Sequence, residues 1–185
     1  MARFIKIFSA TILALFMSAL VWYLLVPHKV LLSVCITLGT TCYHFLMRLF
    51  VGSIINTAFE NKMNYQARWF KQRRFEKKLY EALRVKKWAK NVPTYAPALF
   101  SPKERTWEEI AMATCQSEIV HETIALLSFL PLLFIIPFGD PLVFILTSVL
   151  AASLDLTFVI VQRYNRPRII EHIERIKQRE ELRKK

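Results

Sequence analysis

Three ionisable side chains stand close together at the start of an apolar stretch: Glu118, His121 and Glu122, at positions i, i+3 and i+4. On an α-helix this spacing places them on one face. A histidine beside carboxylates can act as a general base, because an acidic partner sets its tautomer and basicity while it takes a proton from an attacking hydroxyl. The same Glu-x-x-His spacing forms half of a metal site in some helical bundles. The sequence contains no second matching half, so no metal site is predicted.

Two further apolar stretches also carry ionisable side chains. Asp155, Gln162 and Arg166 stand at i, i+7 and i+11, again one helix face, and His44 and Arg48 are four residues apart. Such residues are costly inside a membrane span, where they pair with one another or serve a function. For Arg48 alone we favour a structural role, because a single cation near the end of a span commonly reaches the membrane surface or forms an ion pair.

The sequence separates its apolar and charged residues into blocks. Of its 185 residues 54% are hydrophobic and 22% charged, yet four stretches hold very few charges, each near the roughly 20 residues that cross a membrane. They are 8–26, 30–51, 119–138 and 142–162. Glycine is rare and the polar segments lack the alternation of strands, so these stretches are predicted as helices. We therefore predict an all-α fold, a single membrane domain over residues 1–185 with about four transmembrane helices.

The basic residues are distributed asymmetrically. Thirteen Lys and Arg lie in 52–118 and nine in 163–185, whereas the connections 27–29 and 139–141 contain one and none. The positive-inside rule then predicts a multi-pass protein of the cell membrane, with both termini, the segment 52–118 and the tail 163–185 cytoplasmic. Asp155 would lie about 12 Å below the cytoplasmic end of its helix. Because the polar faces reach the same leaflet, we predict that Glu118, His121 and Asp155 form one catalytic site.

The stretch 65–90 interleaves aromatic and basic residues. This pattern can indicate nucleic-acid binding, but a membrane-tethered chain already lies beside anionic head groups. A helix in the membrane interface explains the pattern with fewer assumptions, so we predict membrane lipids and no nucleic acid as partners. Prolines interrupt the chain in 91–103, and we expect this loop to return to the membrane surface as one wall of a substrate site.

Three segments resemble a known family. The most specific is Gln162-Arg163-Tyr164-Asn165-Arg166-Pro167-Arg168, directly after an apolar helix, and the others are the basic segment Val85–Pro93 around Trp88 and the motif Glu118-Ile119-Val120-His121. Together they resemble the glycosyl-4,4'-diaponeurosporenoate acyltransferases, which catalyse the last step of staphyloxanthin-type carotenoid synthesis. The likeness extends over about 84–170.

The resemblance implies a membrane-bound acyltransferase that moves a fatty acyl group from a cytoplasmic thioester to a hydroxyl of a glycolipid or glycosylated isoprenoid. His121 would be the general base, with Glu118 as its orienting partner. No cofactor is expected besides acyl-CoA or a similar thioester as co-substrate. Cations suit the donor's phosphates. The implied substrate-binding residues are Arg163, Tyr164, Asn165, Arg166, Arg168, Trp88, Lys87 and Gln162, joined for the phosphates by Lys86 and Lys90. Asn165, before Arg-Pro, is expected to shape a turn where the helix leaves the membrane.

Two other classes of function remain open from the sequence. A non-enzymatic membrane scaffold would use the buried Glu, His and Asp only to join helices through hydrogen bonds. A small proton-coupled transporter would use Asp155 and His121 as a relay, although the sequence shows no span clearly broken by a central Pro or Gly and no inverted repeat.

Overall fold

Helices form 83% of the computed structural model, which describes residues 2–184. No strand occurs within that range, so the all-α prediction is confirmed. The α-helices are α1 (Ala2–Leu25), α2 (Lys29–Phe59), α3 (Arg74–Ala82), α4 (Val85–Trp88), α5 (Trp107–Leu127), α6 (Ile135–Phe138) and α7 (Pro141–Lys184). Short 3₁₀ turns lie at Arg68–Phe70, Ala89–Asn91, Pro97–Phe100 and Leu130–Phe134.

Local sequence signals explain where two of the long helices begin. Thr106 and Glu109 form a reciprocal capping box at the start of α5: the Glu109 N–H donates to Thr106 Oγ1 at 3.2 Å, and the Thr106 N–H donates to Glu109 Oε2 at 2.8 Å. Helix α7 begins at Pro141, whose missing N–H costs nothing in the first turn. Gly139 just before it has a φ of +71°, a conformation that favours glycine.

Four helical segments are long and apolar enough to cross a membrane, as predicted: Arg3–Leu25, Lys29–Phe59, Trp107–Phe138 and Pro141–Lys184. The third begins twelve residues before the predicted span and contains the 3₁₀ turn at Leu130–Phe134, where Pro131 cannot donate an N–H to a regular helix. The second and fourth continue past the predicted boundaries 30–51 and 142–162. These extensions carry polar residues, which hydropathy alone does not assign to a span.

The described chain divides into two compact units. The first unit contains the chain up to Ile54 together with Glu122–Leu156, and the second contains Ile55–His121 together with the chain from Thr157 onward. Helices α2, α5 and α7 each contribute to both units. Each unit is described separately below.

Helix contacts in the first unit include both apolar and polar groups. The centroids of the Phe8 and Phe45 rings lie 4.8 Å apart. A Cβ atom on Gly39 would lie only 3.0 Å from the Phe16 ring, so the absence of a side chain on Gly39 allows the two helices to pack closely there. The Tyr43 hydroxyl donates to the carbonyl oxygen of Leu127 at 2.9 Å. Many large apolar side chains on the outside of the unit are exposed, as expected of surfaces that face lipid.

The second unit contains α3, α4, the part of α5 up to His121 and the part of α7 from Thr157 onward. Its buried apolar side chains include Val85, Ile110 and Cys115. Polar contacts join its segments as well, since the Asn61 N–H donates to Gln116 Oε1 at 2.6 Å. This unit also contains the whole motif at residues 162–168, which includes Pro167.

The turn predicted at Asn165 is wrong, because α7 continues without interruption to Lys184 with Pro167 inside it. A proline within a helix leaves the carbonyl of the residue four positions earlier, here Arg163, without its usual donor. The side chains of Arg163 and Arg166 are fixed by contacts with other segments, described next. These contacts keep the helix continuous at a position where sequence rules predict a break.

Candidate active site

Glu118 on α5 is the centre of a buried cluster of charges in the second unit. Its side chain is 0% exposed, and its two carboxylate oxygens face different arginines of α7. Arg163 Nη1 donates to Oε1 and Arg166 Nη2 lies against Oε2, each at 2.5 Å. One carboxylate thus faces two guanidinium groups. The cluster needs a second acid to balance its charge.

Glu76 on α3 supplies that second acid. Arg163 donates to Glu76 Oε1 from Nε at 3.1 Å and from Nη2 at 2.7 Å, a fork-like contact that suits a planar guanidinium group. The remaining hydrogens of Arg163 reach the carbonyl oxygens of Trp69 and Lys71, each at 3.3 Å. Every nitrogen of this side chain therefore has a partner inside the protein.

Arg166 is equally engaged and even more deeply buried, with 1% of its side chain exposed. It donates to Thr114 Oγ1 at 3.0 Å and to the Thr114 carbonyl oxygen at 2.9 Å, both on α5. It also donates to the carbonyl oxygen of Phe70 at 3.3 Å, and its guanidinium carbon lies 4.9 Å from the centre of the Phe70 ring. Arg163 and Arg166 together fix the turn Arg68–Phe70 against α7.

His121 lies one helical turn beyond Glu118 on the same face of α5. Its ring stacks on the Phe158 ring, with centroids 4.6 Å apart and an interplanar angle of 13°. The side chains of His121 and Glu122 are half-buried, and the stacked Phe158 ring limits the rotation of the imidazole. This is a suitable environment for a general base, whose ring must be held in one orientation.

Asp155 belongs to the first unit, where it forms an ion pair with Arg48. Asp155 is 1% exposed, and Arg48 also donates to the carbonyl oxygen of Ala151 at 3.3 Å. His44, one turn before Arg48, is buried in the same unit. The structural role that the sequence suggested for Arg48 agrees with this ion pair. The shared site of Glu118, His121 and Asp155 stays a prediction, because two of these residues lie in one unit and the third in the other.

The other predicted substrate-binding residues lie in the second unit. Tyr164 contacts the edge of the Tyr80 ring, with centroids 5.7 Å apart, and the Arg168 guanidinium lies over Tyr164, 3.8 Å from the ring centre. Trp88 Nε1 donates to the Leu83 carbonyl oxygen at 2.9 Å, which closes α4 onto the preceding turn. Lys87 and Arg168 are exposed, whereas Gln162 and Asn165 are half-buried.

Glu76, Tyr80 and Thr114 belong to this region but were not predicted from the sequence. Tyr80 donates its hydroxyl proton to Glu76 Oε2 at 2.8 Å. Burial first, and then the neighbouring carboxylate, raises the pKa of Tyr80 well above its usual range, so the phenol stays protonated. A signal for Glu76 was present: it is one of only two acidic residues in the basic stretch 61–103. An isolated acid among so many cations indicates a specific partner.

Acidic, histidine and cysteine side chains do not gather in a metal-binding arrangement anywhere in residues 2–184. The three cysteines, Cys35, Cys42 and Cys115, are buried and free. The polar groups brought together in the second unit are instead carboxylates, guanidinium groups and one imidazole. These groups can accept and donate protons and can bind anions.

These features define the class first: an all-α membrane protein with a buried cluster of carboxylates and arginines, and an imidazole one turn further along the same apolar helix. Within that class the chain belongs to the glycosyl-4,4'-diaponeurosporenoate acyltransferase family, whose family model matches residues 66–175. The resemblance noted from the sequence is thereby confirmed. The matched range contains Glu76, Glu118, His121 and Asp155, and it also contains Arg163, Arg166 and Arg168 of α7. No curated protein and no solved structure matches the chain.

Proposed function

We propose that the protein is a membrane-bound acyltransferase that moves a fatty acyl group from a cytoplasmic thioester donor to a sugar hydroxyl of a glycolipid or glycosylated isoprenoid. The family name indicates acyl transfer and a glycosylated carotenoid acid as acceptor. The observation that carries the proposal is the position of His121, half-buried against Phe158 one turn from the buried Glu118, inside the matched range.

In the proposed reaction His121 takes the proton from the acceptor hydroxyl as the oxygen attacks the thioester carbonyl. The tetrahedral intermediate then collapses, the carbon–sulfur bond breaks, and the leaving thiolate receives a proton. The products are an ester and a free thiol. No covalent acyl-enzyme is needed, in keeping with a sequence that lacks a nucleophile-elbow motif.

Glu118 and Asp155 have different supporting roles in this proposal. Both oxygens of Glu118 lie against Arg163 and Arg166, so Glu118 acts as a positioning residue that fixes α5, and with it His121, against α7. Asp155 was predicted as a third member of the site, and we keep it as a catalytic candidate. Its ion pair with Arg48 provides a purely structural alternative, which a double variant described in the Discussion distinguishes.

The proposed location is the cell membrane, with both termini and the second unit on the cytoplasmic side. The supporting observation is the excess of Lys and Arg in 52–118 and 163–185 over the connections between spans. A cytoplasmic site suits a thioester donor made inside the cell, while the acceptor lipid reaches it from the membrane. Membrane lipids are therefore both environment and substrate.

Reconstitution with defined substrates tests this function. The purified protein in lipid vesicles is given a long-chain acyl thioester and a glycosylated isoprenoid or a lipid extract, and the products are identified by mass spectrometry. We expect one lipid to gain the mass of the acyl group, and the ester to map to the sugar. If a folded preparation modifies no lipid in extracts of the source cells, the enzyme assignment is wrong.

A scaffold function is the second candidate, and the buried ion pairs favour it specifically. Glu118 with two arginines, and Arg48 with Asp155, are the kinds of contact that lock helices together without any chemistry. A scaffold needs no general base, so its function would tolerate His121→Gln, whereas the proposed reaction would lose the group that accepts the proton. The histidine is therefore the residue that separates the two functions.

A further inference from the structure

An open cleft of about 490 Å³ lies in the second unit, and its charged groups are separate from those of the Glu118 cluster. It is lined by five cations, Lys77, Arg84, Lys86, Lys87 and Arg168, and by one carboxylate, Glu81. The volume is within the range of ordinary small-molecule sites. A cleft lined mainly by charges of one sign focuses the electrostatic field and attracts an oppositely charged ligand.

The cations of the cleft are free to bind such a ligand. Among residues 2–184 no ion pair engages Lys77, Arg84, Lys86 or Lys87, in contrast to Arg163 and Arg166, whose guanidinium groups are fully engaged inside the protein. Like charges that face one cleft repel each other unless an anion is bound between them. The structure therefore separates the basic residues into two arginines that maintain the fold and a group that faces solvent.

One wall of the cleft is held in place before any ligand binds. The Arg168 guanidinium lies 3.8 Å from the centre of the Tyr164 ring, which limits its motion, and Tyr164 contacts Tyr80. Tyr80 is in turn fixed by its hydrogen bond to Glu76, the partner of Arg163. A cation fixed in this way loses less conformational freedom on binding than one on a mobile side chain.

Arg84, which lines the cleft, has an unusual backbone conformation. Its φ is +51°, in the left-handed region that arginine rarely adopts, at the junction between α3 and α4. Glycine would adopt this conformation without strain. Strained backbone at a position that lines a cleft is a common mark of a functional residue.

We infer that this cleft binds the phosphate groups of a nucleotide-linked thioester, that is, a donor of the acyl-coenzyme A class. The inference rests on the proposed function and identifies its donor. Coenzyme A carries a diphosphate and a separate ribose phosphate, so it presents several negative charges along a short length. Five cations around one cleft match that distribution better than they match a lipid head group with a single phosphate.

Direct binding of coenzyme A to the full chain in a neutral detergent tests the inference. Calorimetry or a thermal shift is measured with coenzyme A and with pantetheine, which lacks the nucleotide and its phosphates. We expect coenzyme A to bind, pantetheine to bind at least tenfold more weakly, and the affinity for coenzyme A to fall as salt is raised. Equal affinities for the two probes would overturn the inference.

Neighbouring residues of the same type provide matched controls. Lys77 lines the cleft and the next residue, Lys78, does not, although both are exposed on α3. Lys77→Gln, Lys87→Gln and Arg84→Gly are each expected to weaken coenzyme A binding by about tenfold, the loss of one hydrogen bond to a charged group. Lys78→Gln and Lys103→Gln should bind as the wild type does. Arg84→Gly is informative because it removes the cation while relieving the backbone. Equal weakening by Lys77→Gln and Lys78→Gln would contradict a defined site.

A lipid arm separates the two sources of phosphate. The same variants are placed in vesicles of phosphatidylcholine alone or with phosphatidylglycerol, and coenzyme A affinity is measured in both. If the cleft variants bind coenzyme A as tightly as the wild type in phosphatidylcholine vesicles and differ from it only when phosphatidylglycerol is present, the cleft binds lipid and the inference is wrong. Transfer from a protein-bound thioester without coenzyme A binding would refute this inference alone. Binding without transfer to any acceptor would refute the proposed function alone.

Discussion

Arg166 and Glu118 form an ion pair at 2.5 Å in which the two side chains are only 1% and 0% exposed. The pair joins α7 to α5, and Arg163 extends it through Glu76 to α3. Removing one member of a buried pair leaves its partner charged and without compensation, which is far costlier than the net value of the pair itself. The family motif of the C-terminal helix thus supports the second unit from inside.

Glu118→Ala is expected to lower the free energy of unfolding by about 3–5 kcal/mol, because two buried arginines lose their shared counterion. Denaturant titration in detergent measures the change. Glu108→Ala is the control, since the Glu108 carboxylate is exposed and lies 3.4 Å from Lys177, and its removal should cost less than about 1 kcal/mol. Equal effects of the two variants would show that the buried cluster does not support the fold.

Arg163→Gln and Arg168→Gln should affect different quantities, although both arginines belong to the same motif. Arg163 contacts two acids and two backbone carbonyls, so Arg163→Gln should lower the thermal midpoint by several degrees, as expected for a loss of about 1–3 kcal/mol. Arg168 is exposed, so Arg168→Gln should leave the midpoint unchanged and raise the KM for the thioester. Thermal unfolding and steady-state kinetics on both variants check this division. An unchanged midpoint with a raised KM for Arg163→Gln would contradict it.

A double variant determines whether Asp155 is structural or catalytic. Asp155→Leu leaves the Arg48 guanidinium without its partner in the first unit, so it should destabilise the protein by about 3–5 kcal/mol. Combining it with Arg48→Met removes both charges and should restore most of that stability. If Asp155 takes part in the reaction, the restored double variant stays inactive. If activity returns with stability, the ion pair was its only role.

Cysteine labelling checks the proposed orientation. Reporters at Lys78 and in the last turn of α7 should react only with reagents that enter the cytoplasm. The external reporter is best placed at Phe138, because Gly139 has a φ of +71° that other side chains rarely adopt. Phe138→Cys should react from outside. A C-terminal reporter that reacts with an impermeant external reagent in intact cells would reverse the assignment.

The helices were predictable because their causes are local and repetitive. Each span can be recognised from a run of about 20 apolar residues. The position of Glu118 and His121 on the same helix face follows from their spacing alone. Charge asymmetry gave an orientation without any knowledge of packing.

The pairing of charges was not predictable, because it depends on which distant residues meet. Glu118 and Arg163 are 45 residues apart in sequence, and Arg48 and Asp155 are 107 apart, so no periodicity connects them. The turn expected at Asn165 failed for the same reason: local rules read Pro167 as a helix end, whereas contacts of Arg163 and Arg166 with other segments keep the helix continuous. Three arginines of the motif were expected to bind phosphate, and two of them, Arg163 and Arg166, are engaged by acidic side chains inside the protein. Sequence alone does not reveal this engagement.

Acyl transfer by His121 variants tests the proposed general base most directly. His121→Ala and His121→Gln should each lower kcat/KM by roughly 10²–10⁴-fold, the usual contribution of a positioned general base, because neither side chain can accept the proton. Cys115→Ala should keep its activity, since no acyl-enzyme forms on that thiol. His172→Gln, which changes an exposed histidine of the same unit, controls for nonspecific effects. Near wild-type transfer by folded His121 variants, or loss of transfer in folded Cys115→Ala, would contradict the account.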